Sequence, residues 1–200
     1  MYKFVSKKIV KILIQEKKVD NKDRDMYEYC FELLVSTIVS ILSILILSLF
    51  LGEFLSSSIF LGSFILTRLC SGGYHAKSHL TCLFTTMLNY SFFLIALLTL
   101  SKININFINI SNVFSLVLLA LFSPAENEYN PLSKTEKKKH KRNSVFVATI
   151  ICTISFLVNF SCPNMFKFVC GASIGLLSAA LSMMLGRIDY WIKMSKTNKS

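Results

Sequence analysis

LLVSTIVSILSILILSLFL, residues 33–51, runs through nineteen positions without a charged side chain. Wound as a helix it covers about 28 Å, close to the ~30 Å of a bilayer's hydrocarbon core. The chain beyond it repeats the theme. Gly52-Glu53 makes a short turn, and a second apolar run over 54–68 ends at Arg68. A third run covers 81–100 and is closed by Lys102. The fourth, 106–122, is diluted by Asn106, Asn109 and Asn112, which are expected to face other helices because an unpaired amide in lipid is costly. Pro124 ends it. After a polar loop over 123–143 come a fifth span, 144–160, a turn around Pro163 and a sixth span, 166–185. The expected fold is all-α: a polytopic membrane protein of six transmembrane helices forming a single domain over 1–200.

Composition agrees. Hydrophobic residues make up 53 % of the 200, 17 are Phe, and only 16 % are charged. That is more apolar surface than a soluble core of this size needs to bury. Upstream of the first span, residues 1–32 mix eight Lys/Arg with six Asp/Glu. Val5, Ile9, Ile12 and Leu13 recur at helical spacing with Lys3, Lys7, Lys8 and Lys11 mostly between them. This pattern predicts an amphipathic helix lying in the membrane interface. The apolar run 9–14 is too short for the core of a cleavable signal, so the first span is expected to insert the chain.

The charges behind the net +11 fall between the apolar runs rather than on one continuous face, which argues against nucleic acid as a partner. With six spans, residues 1–32, the 68–80 loop, the 123–143 loop and the tail from 186 share one side. They hold eight, two, six and four of the 22 Lys/Arg, and the opposite side holds only Lys102 and Lys167. Positive charge collects on cytoplasmic segments, so both termini and the 68–80 loop are expected in the cytoplasm. The cluster Lys137-Lys138-Lys139-His140-Lys141-Arg142 is expected to anchor this topology and contact anionic lipid.

The chemistry concentrates at 68–82, where two of the three histidines, two of the six cysteines, a paired glycine and an arginine sit between apolar runs. The cysteines show no CxxC spacing, which argues against a disulfide framework. A cysteine attacks as thiolate, and a histidine within reach takes its proton or stabilises the anion. The candidate pairs are Cys82 with His75, Cys82 with His79, and Cys70 with His75. On a straight helix His75 and Cys82 stand about 10 Å apart along the axis, beyond a hydrogen bond. That pair therefore requires residues 75–81 to bend, which Gly72-Gly73 can initiate. His79 and Cys82, at i and i+3, meet on an unbroken helix. As three ligands, His75, His79 and Cys82 also offer a metal reading, although no fourth ligand lies nearby.

Arg68, the run Gly72-Gly73-Tyr74-His75-Ala76, and Cys82 seven residues after the histidine together resemble the accessory gene regulator B family of bacterial membrane cysteine peptidases. Ser123-Pro124-Ala125-Glu126, with Asn130-Pro131-Leu132 and the basic run after it, resembles that family's loop following the fourth span. The resemblance implies a single membrane-embedded peptidase domain in the bacterial cell membrane, with Cys82 as nucleophile, His75 as its partner, Arg68 and Gly73 in support, and no cofactor. His79 receives no family role and stays an auxiliary candidate. The implied substrate is a quorum-sensing precursor peptide, amphipathic with an acidic C-terminal tail. It would be cleaved and closed into a macrocycle, and the enzyme is implied to be a homodimer. The alternatives are a non-enzymatic transporter or sensor subunit, which would want polar span interiors, and a metal-dependent membrane protease.

Overall fold

A computed structural model describes residues 2–16, 20–71, 79–99, 105–125 and 133–197. Among these residues every regular element is a helix: α1 (Tyr2–Gln15), α2 (Arg24–Phe50), α3 (Phe54–Ser71), α4 (His79–Leu98), α5 (Ile105–Phe122), α6 (Lys134–Ser161) and α7 (Phe166–Thr197). Five of them, α2, α3, α5, α6 and α7 through Ile188, are long and apolar enough to cross a membrane, and α4 adds a shorter apolar stretch, Phe84–Leu98. The six expected spans therefore appear as five full-length ones and a shorter one.

The helices also run past the expected bounds: α2 begins at Arg24, before residue 33, and α7 continues to Thr197, beyond residue 185. One further boundary differs in kind. The expected polar loop over 123–143 is helical from Lys134 onward, so the basic cluster 137–142 forms the first turns of α6. The reason is a capping box. Ser133 Oγ accepts from the Glu136 backbone N–H at 3.3 Å, while the Glu136 carboxylate accepts from the Ser133 N–H at 2.9 Å. Two of the donors that a helix start leaves without partners are satisfied, and the helix begins ten residues before its apolar part.

α1 buries Ser6 and Val10 completely and packs against α2, while Lys7, Lys8 and Lys11 are exposed. The buried face is therefore centred on Ser6 and Val10 and not on the predicted stripe, of which Ile9 and Leu13 are half-buried and Ile12 is exposed.

The α2–α3 turn is a Schellman motif. Gly52 takes φ +69°, its N–H donates to Leu49 O at 3.2 Å, and Glu53 N–H donates to Ser48 O at 2.9 Å. Glu53 then accepts a hydrogen bond from Ser56 Oγ at 2.6 Å and forms an ion pair with Lys167 at the start of α7. Partial burial pushes the Glu53 carboxyl up, but the hydrogen bonds from Lys167 and Ser56 and the lysine's charge outweigh it, and the group lies below the ordinary 4.5. With a depressed folded-state value, its stabilising contribution is complete above about pH 4.5 and is lost as pH falls through the lower folded value. Unfolding profiles in detergent micelles should show this acid loss in the native chain and a flatter acid limb in Glu53→Gln. Identical limbs would contradict the pairing.

Among the five full-length spans α7 is the most enclosed, with 61 % of its apolar part buried against 22–44 % for the other four. Its small residues Gly171, Gly175 and Ala179, spaced four apart, let α3 approach closely. A Cβ built at Gly171 would stand 2.8 Å from Ser56 O, and one at Gly175 would stand 2.5 Å from Phe60 O. The contacts advance together along both helices, so α3 and α7 run parallel. Phe60 of α3 also stacks on Phe93 at 4.8 Å between centroids, and Ser57 Oγ pairs with the Tyr90 hydroxyl at 2.9 Å, which joins α4 to α3. Leu118, Leu119, Ala148, Leu176, Ala180 and Met183 fill the space between α5, α6 and α7.

Polar groups inside the spans are largely satisfied within their own helices. Ser40, Ser43, Ser63 and Ser115 each donate to a carbonyl three or four residues earlier, at 2.7–3.0 Å. Of the fourth span's asparagines only Asn112 is buried, and its Oδ1 has no hydrogen-bond partner among the described residues. Asn109 is half-buried and Asn106 exposed, so the expectation that they face other helices holds for Asn112 alone.

Candidate active site

Where α3 ends, the last carbonyls of the helix have no partner within it. Two arrive from far along the chain. Ala125 N–H donates to Ser71 O at 3.0 Å, and His140 Nδ1 lies 3.3 Å from Cys70 O. A carbonyl only accepts, so Nδ1 carries the proton in this contact. The corner after α5 is itself held. Ser123 Oγ and Ser144 Oγ are buried 2.7 Å apart, Ser144 Oγ also donates to Lys141 O at 3.0 Å, and Arg187 donates to Phe122 O. The Arg187 guanidinium lies 5.8 Å from the centroid of the Phe122 ring. The end of α3, immediately before the histidine-bearing segment, is therefore fixed by α5, α6 and α7 at once.

Arg68 sits one turn before that end. It is half-buried, with its guanidinium 5.7 Å from the centroid of the buried Phe64 ring, which stacks in turn on Phe60. Cys70 is half-buried in the last turn. Gly73 and His75 lie outside the described residues. His79 and Cys82 belong to the first turn of α4, three residues apart on a continuous helix. The structure thus brings Arg68 and Cys70 to the end of one helix and gives His79 and Cys82 the start of the next. The metal reading also involves His75 and so falls outside the described residues.

His140 is the contributor that reading the loop by itself misses. It is the third histidine, embedded in a basic run, and only tertiary packing brings it to Cys70. His140→Ala leaves that carbonyl without its donor at a cost of about 1 kcal/mol. The expected result is a drop of roughly 2–4 °C in the unfolding midpoint in micelles, with partial recovery in His140→Asn, which restores an N–H. An unchanged midpoint in the alanine variant would remove His140 from the corner.

The profile of the accessory gene regulator B family matches residues 6–185. The chain belongs to that family. Membership puts the protein in accessory gene regulation, a quorum-sensing setting. Among its relatives, putative AgrB-like protein 2 of Clostridium perfringens strain 13 is 33 % identical over 168 residues, covering 78 % of this chain and 77 % of that one. Putative AgrB-like protein 1 of the same strain is 28 % identical over 158 residues, covering 78 % and 83 %. The accessory gene regulator protein B of Staphylococcus aureus strain JH9 is 23 % identical over 128 residues, covering 64 % and 68 %. No solved structure matches.

Proposed function

We propose that this family member is a membrane cysteine endopeptidase that cuts a precursor peptide and closes the remainder into a ring. The observation that carries the reading is the His75-x6-Cys82 spacing across the segment before α4 and its first turn, within a chain that matches the family from residue 6 to 185. Both termini and this segment lie in the cytoplasm, and the precursor's acidic tail meets the basic inner face.

Cys82 belongs to the first turn of α4, and the start of a helix favours negative charge, which is what a thiolate nucleophile needs. His75 is the base. The helical rise from His79 to Cys82 is about 4.5 Å, and the four residues from His75 to His79 span up to about 14 Å when extended. The chain before α4 is long enough to return His75 to Cys82. Arg68 and Gly73 support this geometry.

The thiolate attacks the scissile carbonyl. The C–N bond breaks, the C-terminal segment leaves as an amine carrying the proton taken up by His75, and a thioester joins the peptide to Cys82. A thiol within the peptide then attacks that thioester, closes the macrocycle and releases Cys82. One thioester replaces another, so the step needs no nucleotide, and the site has only to keep water from the intermediate.

A second reading uses His79 as the base, because α4 begins at His79 and gives His79 and Cys82 one continuous turn. Coexpression with the precursor peptide, followed by mass spectrometry, separates the two. Under the first reading His75→Ala fails to process and His79→Ala processes, and the reverse result moves the base to His79. Chelator-sensitive processing that survives Cys82→Ala would overturn both.

A further inference from the structure

At the bundle end that holds the α3 corner, α5 stops, α6 begins and α7 continues past its core. Between them lies a cleft of about 360 Å³. Its wall is cationic, built from Lys137, Lys138, Lys141 and Arg187, and no acidic side chain among the described residues lines it. Lys137 and Lys141 are four apart on α6 and share a face. The rim is apolar: Leu121 and Trp191 line the cleft and are largely exposed. From Leu121 an exposed stripe runs down α5 through Val117, Phe114 and Ile110 at helical spacing toward the opposite end of the bundle. The cationic pocket therefore opens onto an apolar track.

An occupant must satisfy both chemistries. An acidic peptide would use the lysines and leave the rim and track without a role. A free anion would do the same. A molecule with an anionic head and a hydrocarbon tail uses all of them, and basic pockets between spanning helices suit such headgroups. An amphipathic precursor with an acidic tail is the rival occupant, and displacement by an acidic peptide separates the two. We propose that this cleft binds an anionic phospholipid, its phosphate among Lys137, Lys138 and Lys141, Trp191 at headgroup level, and an acyl chain along the α5 stripe. Arg187, which holds the Phe122 carbonyl, forms the back of the pocket. The occupied site would bridge α5, α6 and α7 beside the corner that fixes α3. The proposal depends on the membrane-embedded fold and not on the chemistry of Cys82.

Trp191 is the only tryptophan, so its fluorescence reports on this cleft. The full-length protein is reconstituted into phosphatidylcholine vesicles containing an equal part of brominated phosphatidylglycerol or of brominated phosphatidylcholine. Quenching by the anionic lipid should exceed that by the zwitterionic one, with a relative affinity on the order of tenfold. The triple variant Lys137→Gln, Lys138→Gln, Lys141→Gln should lose this preference. Lys7→Gln, Lys8→Gln, Lys11→Gln, with the same loss of charge on α1, should keep it. Equal quenching in the unaltered chain would overturn the proposal, as would a preference that survives the α6 triple or disappears in the α1 triple. At matched ionic strength, abolition of the preference by inorganic phosphate would show a free-anion site, and abolition by a glutamate-rich peptide would show a peptide site. Either displacement also overturns the proposal.

Discussion

Cys82→Ala is expected to leave the precursor peptide uncut, with processing reduced roughly 10³-fold or more. Removing a nucleophile removes the covalent route as a whole, so His75, Arg68 and the held corner around α3 are left with no bond-forming atom to assist. Cys82→Ser keeps a nucleophilic atom at that position but supplies a hydroxyl, which is far less ionised than a thiol near neutral pH, and is expected to process only marginally. The diagnostic arm changes the substrate. When the precursor's internal thiol is replaced, the unaltered enzyme should still cut, but the thioester has no partner for exchange. A covalent adduct on the residue 82 peptide, or its slow hydrolysis to a linear product, is then expected by mass spectrometry. Full processing by Cys82→Ala would end the mechanism. Cutting without an adduct under rapid acid quench, together with a linear product from the normal substrate, would leave a peptidase but remove the cyclisation step. Because family membership stands on residues 6–185 and not on Cys82 alone, neither outcome disturbs the fold.

The spans were legible because lipid leaves the sequence few options: a charge-free run of nineteen residues has to be a helix across the bilayer. Their ends were less so. Reading 134–143 as loop followed its lysines, whereas Ser133 and Glu136 carried the local signal that starts α6, and two residues of capping chemistry outweighed the charge run. The small residues 171, 175 and 179 are visible as a close-packing signature, but a spacing of four says only that some helix comes near. It does not say that the helix is α3 or that it runs parallel. The contact of His140 with Cys70 joins positions seventy apart, and no local pattern encodes it. At the site, spacing alone left His75 and His79 in competition. The start of α4 at His79 satisfies the helical requirement of one pair, and the resemblance selects the other. The histidine is therefore the part of the site that needs a variant to decide it.

Gly175→Leu is expected to prevent the bundle from assembling, and Gly175→Ala to destabilise it by about 1–3 kcal/mol. The added Cβ would stand 2.0 Å from Ser63 Oγ and 2.5 Å from Phe60 O. The hydroxyl can rotate away. The carbonyl belongs to the α3 backbone, so α3 itself has to move. Ser63→Ala combined with Gly175→Ala should therefore recover only part of the loss. Gly62→Ala, in the middle of α3, is the matched control, because its Cβ meets nothing within 4 Å. That substitution should be neutral or mildly stabilising, since alanine is the better helix former. The functional consequence follows from the parallel packing of α3 on α7. A shift forced at residue 60 is carried along a rigid helix to Arg68, Cys70 and Ser71, and the contacts of Ser71 with Ala125 and of Cys70 with His140 hold that end against α5 and α6. Gly175→Ala should therefore impair processing even at temperatures where the protein stays folded, while Gly62→Ala should process normally. Unfolding midpoints in micelles and peptide processing in cells, measured on the same set of variants, test both halves. If Gly175→Ala matches the unaltered chain in both measurements, the close approach of α3 to α7 is wrong.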